Sequence, residues 1–75
     1  MTRDDMKIMS WANKGGIYIY PVPVEGSKGN FRPKANIVID LRGRIHWDKS
    51  EYTQDAKLTD KIIEYYKYYY DKNHR

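Results

Sequence analysis

The sequence contains no cysteine among its 75 residues. Disulfides and thiolate metal sites are therefore excluded as sources of stability, and the composition fits a reducing compartment. No stretch approaches the roughly 18 uninterrupted apolar residues of a membrane span, and residues 1–5 lack the apolar run of a signal peptide. We therefore expect a cytoplasmic protein that has no contact with a membrane.

Histidine is almost as scarce, and no catalytic pattern accompanies it. His46 and His74 are too far apart in the sequence to form a metal site of helical or hairpin spacing. Ser10, Ser27 and Ser50 lack a G-x-S-x-G context, and the glycines match neither a dinucleotide-binding nor a P-loop motif. We therefore predict a protein that is not an enzyme and that binds no metal, cofactor or small-molecule substrate.

The short chain also limits the size of the core. A chain of this length buries only about 60% of the surface that its unfolded form exposes, so residues 1–75 are predicted to form a single small domain. Eight tyrosines, two tryptophans and one phenylalanine supply much of the apolar surface. Tyrosine is therefore expected to take a large part in the packing.

The N-terminal segment has the signature of a helix over residues 3–13. Thr2 and Asp5 have the spacing of a capping box, and Gly15 and Gly16 supply a stop. Met6 and Met9 fall on one side of this helix, where we expect them to close one end of the sheet.

Residues 17–24 alternate as a β-strand. Pro21 and Pro23 remove hydrogen-bond donors on one side, which predicts an edge strand. The alternation places Ile17 and Ile19 on one face and Tyr18 and Tyr20 on the other. The strand by itself does not tell which of these faces is buried.

Residues 34–40 and 44–49 are predicted to form a hairpin. A two-residue loop at Arg42 and Gly43 would mix core and solvent faces, so we favour a three-residue loop over residues 41–43 with Gly43 in a bulge. This register pairs Ile39 with Ile45 and Ile37 with Trp47. It also predicts a solvated ion pair between Asp40 and Arg44 on the other face.

The last element is predicted to be a helix over residues 54–72, capped by Thr53 or Asp55. The resulting fold class is α+β: a three-stranded antiparallel sheet packed against the C-terminal helix, with a short N-terminal helix, in the order α-β-β-β-α. The predicted core comprises Ile19, Ile37, Ile39, Ile45, Trp47, Leu58, Ile62, Tyr65, Tyr66 and Tyr69.

The charge distribution suggests the kind of partner. Residues 26–47 carry five basic side chains against one acidic side chain, Asp40. Basic residues interleaved with an aromatic residue are typical of nucleic-acid binding. We therefore predict a protein that binds nucleic acid, or a nucleic-acid-processing complex, through a basic loop and hairpin: Lys28, Phe31, Arg32, Lys34, Arg42 and Arg44.

The alternative is an inhibitor or adaptor that binds an acidic or other protein surface. Exposed tyrosines are frequent interface anchors, and the candidates are Tyr18, Tyr20, Tyr68 and Tyr70. Such a chain would suit a phage or mobile-element accessory factor, for example an inhibitor of a host defence nuclease. It is expected to be a monomer or a homodimer. The first strand is an edge for pairing with a second copy, but Pro21 and Pro23 remove hydrogen-bond donors from it.

Overall fold

The computed structural model describes residues 2–24 and 33–74 of the chain. The elements follow the predicted order: α1 is Arg3–Lys14, β1 is Ile17–Pro23, β2 is Lys34–Leu41, β3 is Arg44–Thr53 and α2 is Ala56–Asn73. The strands form one antiparallel sheet in the order β1-β2-β3, and α2 packs against it. The predicted α+β fold class is confirmed.

Side chains cap the N-termini of both helices. Thr2 accepts a hydrogen bond from the backbone N–H of Asp5, and the Asp5 carboxylate accepts one from the N–H of Thr2. These reciprocal bonds form the capping box that the sequence predicts. Of the two candidate caps for α2, Asp55 is used, and its carboxylate accepts the N–H of Lys57.

The first strand lies at an edge of the sheet, as its prolines predict. Pro21 and Pro23 occupy positions that alternate with the residues bonded to β2, so their missing N–H groups leave the ladder intact. Ile19 shares their outward side, and the Tyr66 hydroxyl on α2 accepts its N–H at 2.8 Å. The same hydroxyl lies 3.2 Å from the Ile19 carbonyl oxygen, to which it donates.

The predicted register of the hairpin is wrong. Leu41 pairs with Arg44, so the loop is the two-residue turn at Arg42 and Gly43 rather than a three-residue bulge. Both turn residues have positive φ, 56° for Arg42 and 93° for Gly43, as a type I′ turn requires. Asp40 lies opposite Ile45 instead of Arg44, and its carboxylate accepts the N–H of Gly43.

Contacts outside the hairpin help to hold Arg42 in this unusual backbone conformation. Its N–H donates to the carbonyl oxygen of Gly16 at 2.9 Å, and its side-chain Nε donates to that of Gly15 at 3.0 Å. The hairpin is thereby joined to the turn between α1 and β1. These long-range bonds favour a conformation that arginine alone seldom adopts.

The new register moves two predicted core residues to the surface. Ile45 and Trp47 share the sheet face of Asp40 and Val38, away from the helices, and they are 49% and 52% exposed. Val38 lies on the same face but is buried. Arg44, His46 and Asp48 take the helix-facing side, but they lie in a strand that the helices leave largely exposed.

The core lies between the other sheet face and the two helices. Met6 is exposed rather than packed at the end of the sheet, whereas Met9 is partly buried against the core. Among the predicted core residues, Ile62, Tyr65 and Tyr69 are also only partly buried. The buried cluster comprises Ala12, Ile17, Ile19, Ala35, Ile37, Ile39, Leu58 and Tyr66.

In the part of the chain that the structure describes, neither helix is long and apolar enough to cross a membrane.

Candidate functional site

The sheet face opposite the helices carries four large side chains, three aromatic and one aliphatic, that are about half exposed. Its central row runs across the strands from Tyr20 through Val38 to Trp47, and the next row contains Tyr18 and Ile45. Val38 is 1% exposed, whereas Tyr20 and Trp47 beside it are 42% and 52% exposed. Tyr18, Tyr20, Val38, Ile45 and Trp47 thus form a continuous surface, which we call the open face.

The open face carries charges of both signs. Asp40 lies between Tyr18 and Ile45, so a carboxylate stands inside the apolar patch. Lys34 shares the face of Val38 and Asp40 by alternation along β2, and Lys49 continues the alternation of β3 beyond Trp47, so both lysines lie toward the opposite end of the face. A carboxylate within the apolar patch and lysines at its far end give a surface of mixed charge, unlike the uniformly basic surface that attracts a polyanion.

The four tyrosines predicted as anchors do not form one surface. Tyr18 and Tyr20 lie on the open face, but Tyr68 and Tyr70 lie on α2, in the layer on the other side of the sheet. Tyr68 is exposed there, whereas Tyr70 is partly buried and its ring contacts Trp11 and His74. A partner on the open face would reach only the first pair.

The predicted basic residues are also divided. Lys34 begins β2 and Arg42 follows its end, so their backbones are about 26 Å apart at 3.3 Å per residue. Lys34 hydrogen-bonds to Thr53, whereas Arg42 and Arg44 lie at the hairpin end. The remaining predictions of this set lie outside the described residues: Lys28, Phe31 and Arg32.

Arg42 and Arg44 do share a cleft on the helix-facing side of the hairpin. Its volume is about 440 Å³, and His46 and Asn73 complete the polar part of its lining. No carboxylate is among the described residues that line this cleft. The arrangement suits an anionic group, although the Nε of Arg42 is already bonded to Gly15.

A polar cluster that the sequence analysis missed joins β3 to α2. The carboxylate of Asp48 accepts hydrogen bonds from the hydroxyls of Tyr52 and Tyr65 and from the N–H of Ser50. The only sequence signal for this cluster is the large number of tyrosines, because the hydroxyl of each partly buried tyrosine needs a hydrogen-bond acceptor. The two tyrosines donate to one acid, and no histidine hydrogen-bonds to this cluster among the described residues, an arrangement that favours a structural link over catalysis.

These bonds shift the acid–base behaviour of the cluster. Partial burial acts to raise the pKa of Asp48, but the hydrogen bonds from Tyr52 and Tyr65 outweigh it and leave the pKa below its ordinary value of 3.8. The bond to Asp48, followed by burial, raises the pKa of Tyr65 above its ordinary value of 10.0. Asp48 therefore stays ionised and the two phenols stay neutral at physiological pH.

The described residues contain no group of three or more histidine or acidic side chains arranged to hold a metal ion.

No protein-family model matches the chain, and no curated protein or solved structure shows significant similarity to it.

Proposed function

We propose that this chain is a small, non-enzymatic binding protein of the cytoplasm, which acts as an inhibitor or adaptor by holding a protein partner on the open face. The observation that carries this proposal is the exposure of Tyr20 and Trp47 on either side of the buried Val38. The sheet fixes the backbone of the face, so a partner would have to order only the side chains.

The size and composition of the open face support this function. An aromatic side chain contributes roughly 150–250 Å² of surface, so four large residues that are about half exposed offer roughly 300–400 Å² of apolar area. Patches of this size on small proteins are often functional. Tyrosine and tryptophan are also the residues that most often anchor protein interfaces.

The charges favour a protein partner over nucleic acid at this surface. Asp40 would repel a phosphate group that approached Tyr18 or Ile45, whereas a protein can offer Asp40 a lysine, an arginine or a backbone N–H. The complementary surface is therefore apolar at its centre and carries a donor near Asp40.

A photo-cross-linking experiment in the native host tests the proposal. A photoreactive phenylalanine analogue replaces Tyr20 in one variant and Tyr68, which is more exposed (56% against 42%) but lies on α2, in the control. We expect protein cross-links from position 20 that disappear when Trp47→Ser is added. Cross-links that are identical at both positions, or that persist with Trp47→Ser, would contradict binding at the open face.

A second candidate function is nucleic-acid binding at the cleft between the hairpin and the end of α2. The supporting observation is the convergence of Arg42, Arg44 and His46 without a described carboxylate in the lining. Its test is the binding of short single-stranded and duplex DNA and RNA at about 50 and 200 mM salt, because phosphate contacts weaken steeply as salt rises.

Arg44→Ala is the informative variant for this second candidate. The side chain of Arg44 has no ion-pair partner in the described part of the chain, whereas Arg42 also supports the turn at Gly15. Lys57→Ala, on the first turn of α2, is the matched control. No binding at the lower salt concentration, or equal weakening by both substitutions, would rule out this cleft as the site.

A further inference from the structure

The β1 edge of the sheet is closed to another strand. Its outward backbone groups belong to Ile17, Ile19, Pro21 and Pro23, which alternate with the residues bonded to β2. The prolines have no N–H, and the Tyr66 hydroxyl bonds to both the N–H and the carbonyl of Ile19. An incoming strand would therefore find no free donor from Ile19 to Pro23.

The β3 edge is open by contrast. Ile39 lies opposite both Ile19 and His46. Ile19 directs its N–H away from the sheet, so Ile19 and Ile39 do not bond each other and Ile39 directs its backbone groups toward β3. Ile39 and His46 are therefore a bonded pair. The backbone N–H and carbonyl groups of Ile45 and Trp47, on either side of His46, point away from the sheet. Within the described chain, no hydrogen bond reaches the outward N–H or carbonyl groups of these two residues.

We propose that the β3 edge pairs in antiparallel orientation with β3 of a second copy of this chain, about a twofold axis that passes through His46. The two three-stranded sheets then become one continuous sheet. This interaction surface is distinct from the open face, which it leaves accessible and extends across both copies.

The backbone pattern limits the possible registers. Outward-facing residues must meet outward-facing residues, which allows Ile45 opposite Ile45, Ile45 opposite Trp47 or Trp47 opposite Trp47. In the register centred on His46, Ile45 of each copy lies opposite Trp47 of the other, and each pair exchanges two N–H···O bonds. The regular part of the β3 edge ends near Lys49, because the side-chain amide of Asn36 donates hydrogen bonds to the carbonyl oxygens of Lys49 and Ser50. A register centred on His46 uses the regular segment and avoids this irregularity.

Charge complementarity in the same register argues for a second copy as the occupant. Arg44 of each chain lies opposite Asp48 of the other, and opposite charges on facing strands stabilise a sheet. Neither side chain has an ion-pair partner in the described part of its own chain. The hydrogen bonds to Asp48 keep its carboxylate in place and ionised. Both copies supply both charges, so the match follows from symmetry.

Molecular mass and amide exchange of the full wild-type chain test this pairing together. The mass is measured by light scattering from about 1 µM to about 1 mM, a range that covers weak to moderate self-association. We expect the mass to double. We also expect the amides of Ile45 and Trp47 to exchange at least about tenfold more slowly in the dimer than in the monomer. A chain that stays monomeric throughout would overturn the proposal, and an unrelated strand would then be the better occupant.

Two pairs of variants locate the contact. Ile45→Pro removes one outward N–H, as Pro21 and Pro23 do in β1, and should abolish the dimer, whereas Ile45→Val should preserve it. Arg44→Glu places like charges opposite each other and should weaken dimerisation about tenfold or more, whereas Lys57→Glu should leave it unchanged. Arg44→Glu leaves the strand backbone intact, so it decides the matter if Ile45→Pro does not fold.

A dimer whose Ile45 and Trp47 amides exchange as fast as those of the monomer would show a contact through another surface and would overturn the pairing of β3 edges. A dimer that survives both Ile45→Pro and Arg44→Glu would do the same. Neither result would count against a protein partner on the open face, because cross-linking from position 20 tests that function independently.

Discussion

Lys67 on α2 forms an ion pair with Asp5 in the first turn of α1, with 3.1 Å between Nζ and Oδ1. The other carboxylate oxygen of Asp5 accepts the N–H of Thr2, so one side chain both caps α1 and joins the two helices. The hydrogen bond from the Thr2 backbone, followed by that from Lys67, lowers the pKa of Asp5. A single acid thus links local helix capping to the packing of two elements distant in sequence.

Asp5→Ala is expected to destabilise the protein more than Asp4→Ala. Both residues lie in the first turn of α1 and interact with its dipole, but only Asp5 forms the capping box and the ion pair. Thermal melts at neutral pH provide the measurement, with Asp4→Ala as the matched control. Equal melting temperatures for the two variants would indicate that the dipole alone accounts for the contribution of Asp5.

The elements were predictable from local signals. The pair Thr2 and Asp5 marked the start of α1, and Asp55 was one of two candidate caps for α2. Pro21 and Pro23 placed β1 at an edge, which the strand order confirms. Each signal depends on backbone groups within a few residues, so the sequence contains the information directly.

The faces of β3 were not predictable in the same way. Alternation requires Ile45 and Trp47 to share a face but does not tell which one, and the usual inward orientation of large apolar residues points to the wrong face here. The deciding contacts are those of Arg42 with Gly15 and Gly16, more than twenty residues earlier in the chain. Tyr20 was therefore predictable as a surface anchor, but Trp47 on the same face was not.

Gly43→Val is expected to lower the free energy of unfolding by about 1–2 kcal/mol or more, because a β-branched residue resists a positive φ. Gly43 has a φ of 93°, and a Cβ there would meet no atom within 4 Å, so the cost comes from the backbone conformation and not from a clash.

Gly43→Asn is the control for the turn, since asparagine tolerates this conformation better than valine. Urea denaturation of both variants supplies the comparison. Equal losses for asparagine and valine would argue against a type I′ turn at this position.

Tyr65→Phe is expected to lower the free energy of unfolding at neutral pH by about 1 kcal/mol, because it removes a hydrogen bond to a partly exposed carboxylate. Tyr68→Phe, on the exposed side of α2, should have almost no effect. Urea denaturation at pH 7 makes this comparison.

The same variant should reduce the sensitivity to acid. Because the pKa of Asp48 is lower in the folded chain than its ordinary value of 3.8, its contribution is present above that pH and is lost as the pH falls through the folded value. Without the Tyr65 hydroxyl, the folded pKa moves back toward 3.8 and this loss shrinks. If the stability of Tyr65→Phe fell with pH as steeply as that of the wild type, the pKa of Asp48 would not depend on this bond.

Trp47→Ala is expected to cost far less stability than Ile37→Ala, although tryptophan is the larger residue. Ile37 is fully buried between the sheet and the helices, and such truncations typically cost about 2–5 kcal/mol. The ring of Trp47 is half exposed on the open face, so its removal leaves no closed cavity and should cost about 1 kcal/mol. Urea denaturation with tyrosine fluorescence as the signal measures both variants. If Trp47→Ala proved as destabilising as Ile37→Ala, the ring would have to be buried, and the open face would lose its central anchor.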